Sequence, residues 1–161
     1  MKEKLLFVTK GGDNFEDGFS YVLELAKTLN AGVAILMVYE RRMAGVYEDI
    51  MAAAAFAEAG EAKTAIEILQ AQEKETREAA EIKFKELTEK YKEISRDMFY
   101  QTAIGDIQHA IKDFLSNRSD IDMVLISPNL AGNKKIFDIN KLLKNITKPI
   151  VTISRPLQAE V

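Results

Sequence analysis

Val33-Ala34-Ile35-Leu36-Met37-Val38-Tyr39 runs without a charge, a proline or a glycine. A continuous apolar run of this length reads as a strand buried on both faces, as in a parallel sheet with helices on either side. The flanking sequence supports that reading. Upstream, Phe15, Phe19, Val22, Leu23, Ala26 and Leu29 recur at steps of three and four. They mark one face of an amphipathic helix, closed by Asn30 and Gly32. Before it, Leu5-Leu6-Phe7-Val8-Thr9 is a second short apolar run, ended by Gly11-Gly12. Strand, helix and strand in this order make one parallel crossover unit.

Downstream the units repeat. The Ala-rich stretch from Ile50 to Ala59 predicts a helix that breaks at Gly60. From Glu61 to Ser95 the chain is charged and free of Gly and Pro, with Ile66, Leu69, Ala80, Phe84, Leu87, Tyr91 and Ile94 along one stripe. The last five step by 4, 3, 4 and 3, which predicts a long crossover helix packed on the sheet, or alternatively a coiled-coil partner surface. Met98 to Thr102 is a third strand. Gly105-Asp106 opens a helix with apolar Ile107, Ala110, Ile111, Phe114 and Leu115. Asp122 to Ser127 is a fourth strand stopped by Pro128; Ile136, Ile139, Leu142, Leu143 and Ile146 mark a last helix; Pro149 to Ile153 is a fifth strand. The expected fold is a doubly wound, Rossmann-like α/β domain over residues 1–161. It has a five-stranded parallel sheet, helices on both faces and a long helical segment between strands two and three.

Composition excludes more chemistry than it names. The 161 residues are 47% hydrophobic and 29% charged, as in an ordinary globular domain. A net charge of −3 argues against nucleic acid as the main partner. With no cysteine there is no disulfide, thiolate metal site or cysteine nucleophile, and one histidine, His109, leaves little for a Ser-His-Asp triad. No apolar run is long enough to span a membrane, and Leu5 to Val8 is too short for a secretory signal, so a cytoplasmic protein is expected.

In doubly wound sheets ligands bind beyond the carboxyl ends of the strands, where strand order reverses. The segment Lys10-Gly11-Gly12-Asp13-Asn14 is therefore a candidate anion site, with Ser127 beside it from the fourth strand. A tight turn needing glycine for its φ angles explains the same residues. The segment matches neither the Walker loop nor GxGxxG. His109 points away from its helix's apolar stripe and reads as a surface residue. Asp13, Glu16 and Asp17 at the first helix start, and Asp106 at a later one, read as complements to helix dipoles rather than a metal site. Lys134, Lys135, Lys141, Lys144 and Lys148 read as a solvated helix face. Only Phe137 lies among them for base stacking.

Three segments in this order resemble the universal stress protein family, over essentially the whole chain. They are Ser20 to Lys27 with Gly32 to Val38; Gly105-Asp106-Ile107 through Ile111 with Asp120 to Ile126; and Ile146-Thr147-Lys148-Pro149-Ile150-Val151-Thr152-Ile153. The resemblance implies a cytoplasmic, stress-associated protein, usually a homodimer joined through the last strand. It also implies, for many members, ATP held by an Asp after the first strand and a Gly-x2-Gly-x9-Gly-Ser/Thr motif after the fourth. Here Lys10 stands in the Asp position. Of the motif glycines only Gly132 is present, and Ile136-Phe137 stand where the Gly-Ser pair falls. Gly105 matches a family position near the ligand cleft.

The expectation is thus a non-enzymatic, universal-stress-like homodimer joined through Ile150–Ile153, acting as a regulatory or interaction module without a cofactor. The alternative is a sensor for a nucleotide or other phosphate ligand, with Lys10, Gly11, Gly12 and Ser127 forming a modified anion cleft. An enzyme of the PP-loop type, which needs Ser-Gly-Gly-x-Asp-Ser, would share with this chain only the two glycines.

Overall fold

A computed structural model describes residues 3–11, 14–39, 43–92, 97–132 and 135–154, with backbone alone for 43–50 and 68–73. Five strands, β1 (Lys4–Lys10), β2 (Gly32–Tyr39), β3 (Met98–Ile104), β4 (Ile121–Ile126) and β5 (Ile150–Thr152), alternate with helices. These are α1 (Phe19–Leu29), α2 (Met43–Glu58), α3 (Ala62–Lys90), α4 (Ile107–Ser116), α5 (Pro128–Ala131) and α6 (Ile139–Asn145). The strands form one parallel sheet in the order β3-β2-β1-β4-β5. The chain winds outward from β1 through β2 to β3, then crosses back to β4 and β5. The order reverses between β1 and β4, where Val8 pairs with Ile126.

Both faces of β1 and β2 are buried, which explains their uninterrupted apolar sequence. On one face Leu5, Phe7, Ile35 and Met37 pack against Phe19, Val22 and Leu23 of α1 and Ala80 and Leu87 of α3. On the other, Leu6, Val8, Leu36 and Val124 pack against Ile107, Ile111 and Phe114 of α4 and Leu142 of α6. Burial of these side chains is the main stabilising term, at ~1.5–3 kcal/mol for each large residue.

The departures from expectation have local causes. α1 begins at Phe19, not Phe15, because Asn14 (φ 63°) and Gly18 (φ 84°) are left-handed and residues 14–18 form turns. Thr9 Oγ1, fully buried, donates to the Phe15 carbonyl at 2.6 Å and ties those turns to the end of β1. Glu16 and Asp17 therefore precede the helix, and α1 has no acidic residue in its first turn. Glu16 instead pairs with Lys90 of α3 at 3.4 Å. Asp13 lies outside the described residues. Asp106 does cap its helix, accepting from the His109 amide at 2.9 Å, and the His109 side chain is exposed. Pro128 both stops β4 and starts the short α5, in the first-turn position where its missing N–H costs nothing. The last helix starts at Ile139 under an Asp138 cap.

The long crossover is only partly what its stripe predicts. Ala80 and Leu87 are buried in the core, and Phe84 and Tyr91 pack against it, so this end of α3 lies on the sheet; Ile94 lies outside the described residues. Phe84 meets Tyr100 of β3 at 4.5 Å between ring centres, and Tyr91 meets Phe19 at 5.4 Å. Ile66, by contrast, is 54% exposed, and Ala65 is the one buried side chain described between Ala62 and Ala79. At 29 residues α3 is about 43 Å long, whereas a seven-residue strand such as β3 spans about 23 Å. The first part of α3 pairs with α2.

Candidate functional site

The carboxyl ends of β1, β4 and β5 border a cleft of ≈ 1610 Å³ at the point where strand order reverses. Lys10 at the end of β1 lines it with Gly11 and Asn14 from the following loop, and Asn129, Ala131 and Gly132 line it from α5 and its end. Lys135 to Asn140 face them from the approach to α6, apart from Ile136, and Thr152 to Ser154 close the β5 side. The cleft therefore lies where the switch-point rule places ligands in such sheets.

Of the four expected residues, Lys10 and Gly11 line the cleft and Gly12 lies outside the described residues. Ser127 is fully buried at the end of β4, and its hydroxyl donates to Asn129 Oδ1. Gly11 owes its identity to close packing. A Cβ there would lie 2.2 Å from the Tyr39 ring, and its φ is not among the positive ones. Burial, with Tyr100 nearby, holds the Tyr39 phenol above its ordinary value, and its hydroxyl has no hydrogen-bond partner among the described residues.

Asn129 is the polar residue that sequence reading passed over. Its Oδ1 accepts from the Lys10 amide at 3.3 Å, and its Nδ2 donates to the Lys10 carbonyl at 3.4 Å and the Asn14 carbonyl at 3.3 Å. One side chain thus bridges the ends of β1 and β4. Gly18 makes the same region tight: a Cβ on it would stand 3.0 Å from both Ile153 and Pro128, at a φ of +84°.

Compared by sequence, the chain matches no protein-family model and no curated protein. Compared by structure, it superposes on universal stress protein UspA from Lactobacillus plantarum with a TM-score of 0.62. Identity is 13%, and the match covers 94% of this chain and 97% of that one. The chain has the universal stress protein fold. Hypothetical protein MJ0577 is also similar, with a TM-score of 0.60 at 16% identity over 98% of this chain and 99% of that one.

The segment Ile136-Phe137, on the approach to α6, is bulky. Phe137 is 6% exposed and packs in the core cluster with Ile126, Leu130 and Leu142, while Ile136 is half-buried against the same cluster. Phe137 is thus a wall of the cleft and not a base-stacking surface. Asp138 caps α6 by accepting from the Asn140 amide at 3.0 Å. Among the described residues no three acidic or histidine side chains converge. The Ser127 hydroxyl pairs with the Asn129 side-chain amide, and among the described residues no base is hydrogen-bonded to it.

Proposed function

We propose that this chain is a non-enzymatic regulatory or interaction module of the universal stress type, whose cleft does not hold ATP through a glycine cradle. The observation that carries this reading is Phe137. A phosphate cradle requires backbone amides that phosphate oxygens can reach, and glycine gives that access. A core-packed phenylalanine following a half-buried isoleucine withdraws it. The fold, the cleft and the absence of a nucleophile-base pair among the described residues fit a binding role in stress physiology, in the cytoplasm. The test is thermal unfolding with and without Mg-ATP. A ligand of the native state raises the midpoint by mass action, so an unchanged midpoint is expected and a saturable rise contradicts the reading.

The module acts as a homodimer joined through β5. This strand lies at the sheet edge, pairs with β4, and leaves Ile150 and Val151 half-buried. Ile153, grouped with them in the sequence reading, lies beyond the strand and is turned into the core at 7% exposure. Light scattering of a Val151→Lys variant tests the contact: loss of the dimer supports it, and an unchanged mass removes it.

A second reading, a sensor for a phosphate-bearing ligand, is favoured by Lys10 at the end of β1 and Lys135 before α6 lining the same cleft. In that reading Lys10→Glu abolishes binding of inorganic phosphate or pyrophosphate, and unchanged affinity contradicts it.

A further inference from the structure

Asn129 stands on the cleft wall, yet its side chain directs every hydrogen bond it can make into the protein. An amide offers two lone pairs on Oδ1 and two N–H groups on Nδ2. Oδ1 accepts from the Lys10 amide at 3.3 Å and from the Ser127 hydroxyl. Nδ2 donates to the Lys10 carbonyl at 3.4 Å and to the Asn14 carbonyl at 3.3 Å. These partners fix which end of the amide is which, since a backbone N–H only donates and a carbonyl only accepts. Two donors and two acceptors, drawn from the end of β1, the loop after it and the residue after β4, thus frame one position where strand order reverses.

What such a frame accepts follows from its polarity. A phosphate or carboxylate would take the Lys10 N–H and the Ser127 O–H, but its remaining oxygens would face the Lys10 and Asn14 carbonyls, acceptor against acceptor. An ammonium or guanidinium suits the carbonyls and leaves the two donors unmet. The primary carboxamide carries an acceptor oxygen and two N–H donors in one small group, and it is what Asn129 supplies. The fit is loose. The three backbone bonds measure 3.3, 3.4 and 3.3 Å, against about 2.9–3.0 Å for an ordinary N–H···O bond. An amide free to settle in the frame makes shorter bonds than one tethered to α5. Ser127 itself is fully buried and does not line the cleft while the Asn129 amide is in place.

We propose that this frame is a carboxamide subsite at the strand ends beneath the cleft, occupied in the resting chain by Asn129 in place of a ligand. A molecule reaches the Lys10 backbone and the Ser127 hydroxyl only by bringing a primary carboxamide that takes the place of the Asn129 side chain. Exchanging one amide for another is nearly neutral, so net affinity comes from the body of the molecule, against Phe137 and Ile153 in the same cleft. Oxyanions stay outside the frame, and Ser127 takes no part in holding a phosphate-bearing ligand. The inference rests on reading this cleft as a ligand cleft, and is independent of whether Phe137 keeps ATP out.

The test is chemical replacement of the missing side chain in the full chain. Asn129→Gly removes the amide and its Cβ, leaving room for one acetamide molecule whose methyl stands where the Cβ stood. Hydrogen exchange at the Lys10 amide is expected to rise about 5–30-fold on loss of its partner. Acetamide then slows it saturably and raises the unfolding midpoint by mass action, and wild type measured alongside shows neither effect. Acetate and inorganic phosphate at the same concentrations leave the variant as it is. Asn129→Ala, which keeps a good helix former in α5, repeats the test with formamide and decides it should the glycine variant not fold. Lys10 exchange that does not rise in the variants overturns the proposal. So does exchange that the amide leaves unchanged, that acetate or phosphate slows as much, or that responds equally in wild type. Titration of wild type with Mg-ATP bears on Phe137 alone, so the two readings fail separately.

Discussion

The side-chain amide of Asn129 pairs with the backbone of Lys10 as another strand would, accepting from its N–H at 3.3 Å and donating to its carbonyl at 3.4 Å. It extends the β1–β4 contact one step past the last strand pair, Val8 with Ile126. Asn129→Ala leaves both Lys10 groups and the Asn14 carbonyl to find other partners. We expect a loss of about 1–2 kcal/mol in urea unfolding and faster amide exchange at Lys10. Asn129→Asp keeps the acceptor but loses both donations, so it should not restore stability. Unchanged exchange at Lys10 in Asn129→Ala contradicts the bridging role.

Gly11 and Tyr39 form a coupled pair, since a Cβ on Gly11 meets the Tyr39 ring at 2.2 Å. Gly11→Ala should displace the ring and cost about 1–3 kcal/mol, as overpacking does. In a Tyr39→Ala background the same substitution should cost much less. A double-mutant cycle reads the coupling directly, and additivity within about 0.5 kcal/mol contradicts it.

The raised Tyr39 phenol fixes a sign for alkaline pH. Its folded value lies above the ordinary 10.0, so the folded state favours the neutral form. That contribution is fully present below pH ~10 and is lost as pH rises through the folded value. Absorbance titration of the wild type beside Tyr39→Phe should show that the component lost ionises above 10.0, and Gly11→Ala should lower it toward the ordinary value. A normal titration for Tyr39 in the wild type contradicts the burial assigned to it.

At the opposite end of the sheet, Lys4 Nζ donates to Asp120 Oδ2 at 2.8 Å, while the Lys4 amide donates to the Asp120 carbonyl, also at 2.8 Å. The ammonium holds the Asp120 carboxyl below its ordinary value of 3.8. The pair's contribution is therefore present above the unfolded value and is lost as pH falls through the folded one. With side chains 25% and 14% exposed the ion pair is worth less than about 1 kcal/mol. Asp120→Asn should destabilise at pH 7, by a margin that narrows as the pH falls below 3.8. A margin that does not change with pH contradicts the charge assignment.

Much of this architecture is written in local sequence. The continuous apolar runs of β1 and β2 betray burial on both faces, and alternation of strand and helix implies the parallel order. The switch-point rule then places the cleft beside Lys10. The features that escaped depend on which strands become neighbours. Asn129 and Lys10 are 119 positions apart and meet only because β1 lies between β2 and β4. Gly11 looks like a turn glycine until register brings Tyr39 over it. Periodicity also could not say which part of α3 meets the sheet, since Ile66 and Leu87 fit one stripe. The limit was helix length against strand length.

Calorimetric titration of the full chain with Mg-ATP tests the cleft most directly. Low salt keeps a weak anion site from being screened. With Phe137 walling the cleft where a glycine cradle is expected, the account predicts no heat beyond dilution. Saturable one-to-one binding that Lys10→Glu abolishes would contradict it and make the chain a nucleotide sensor.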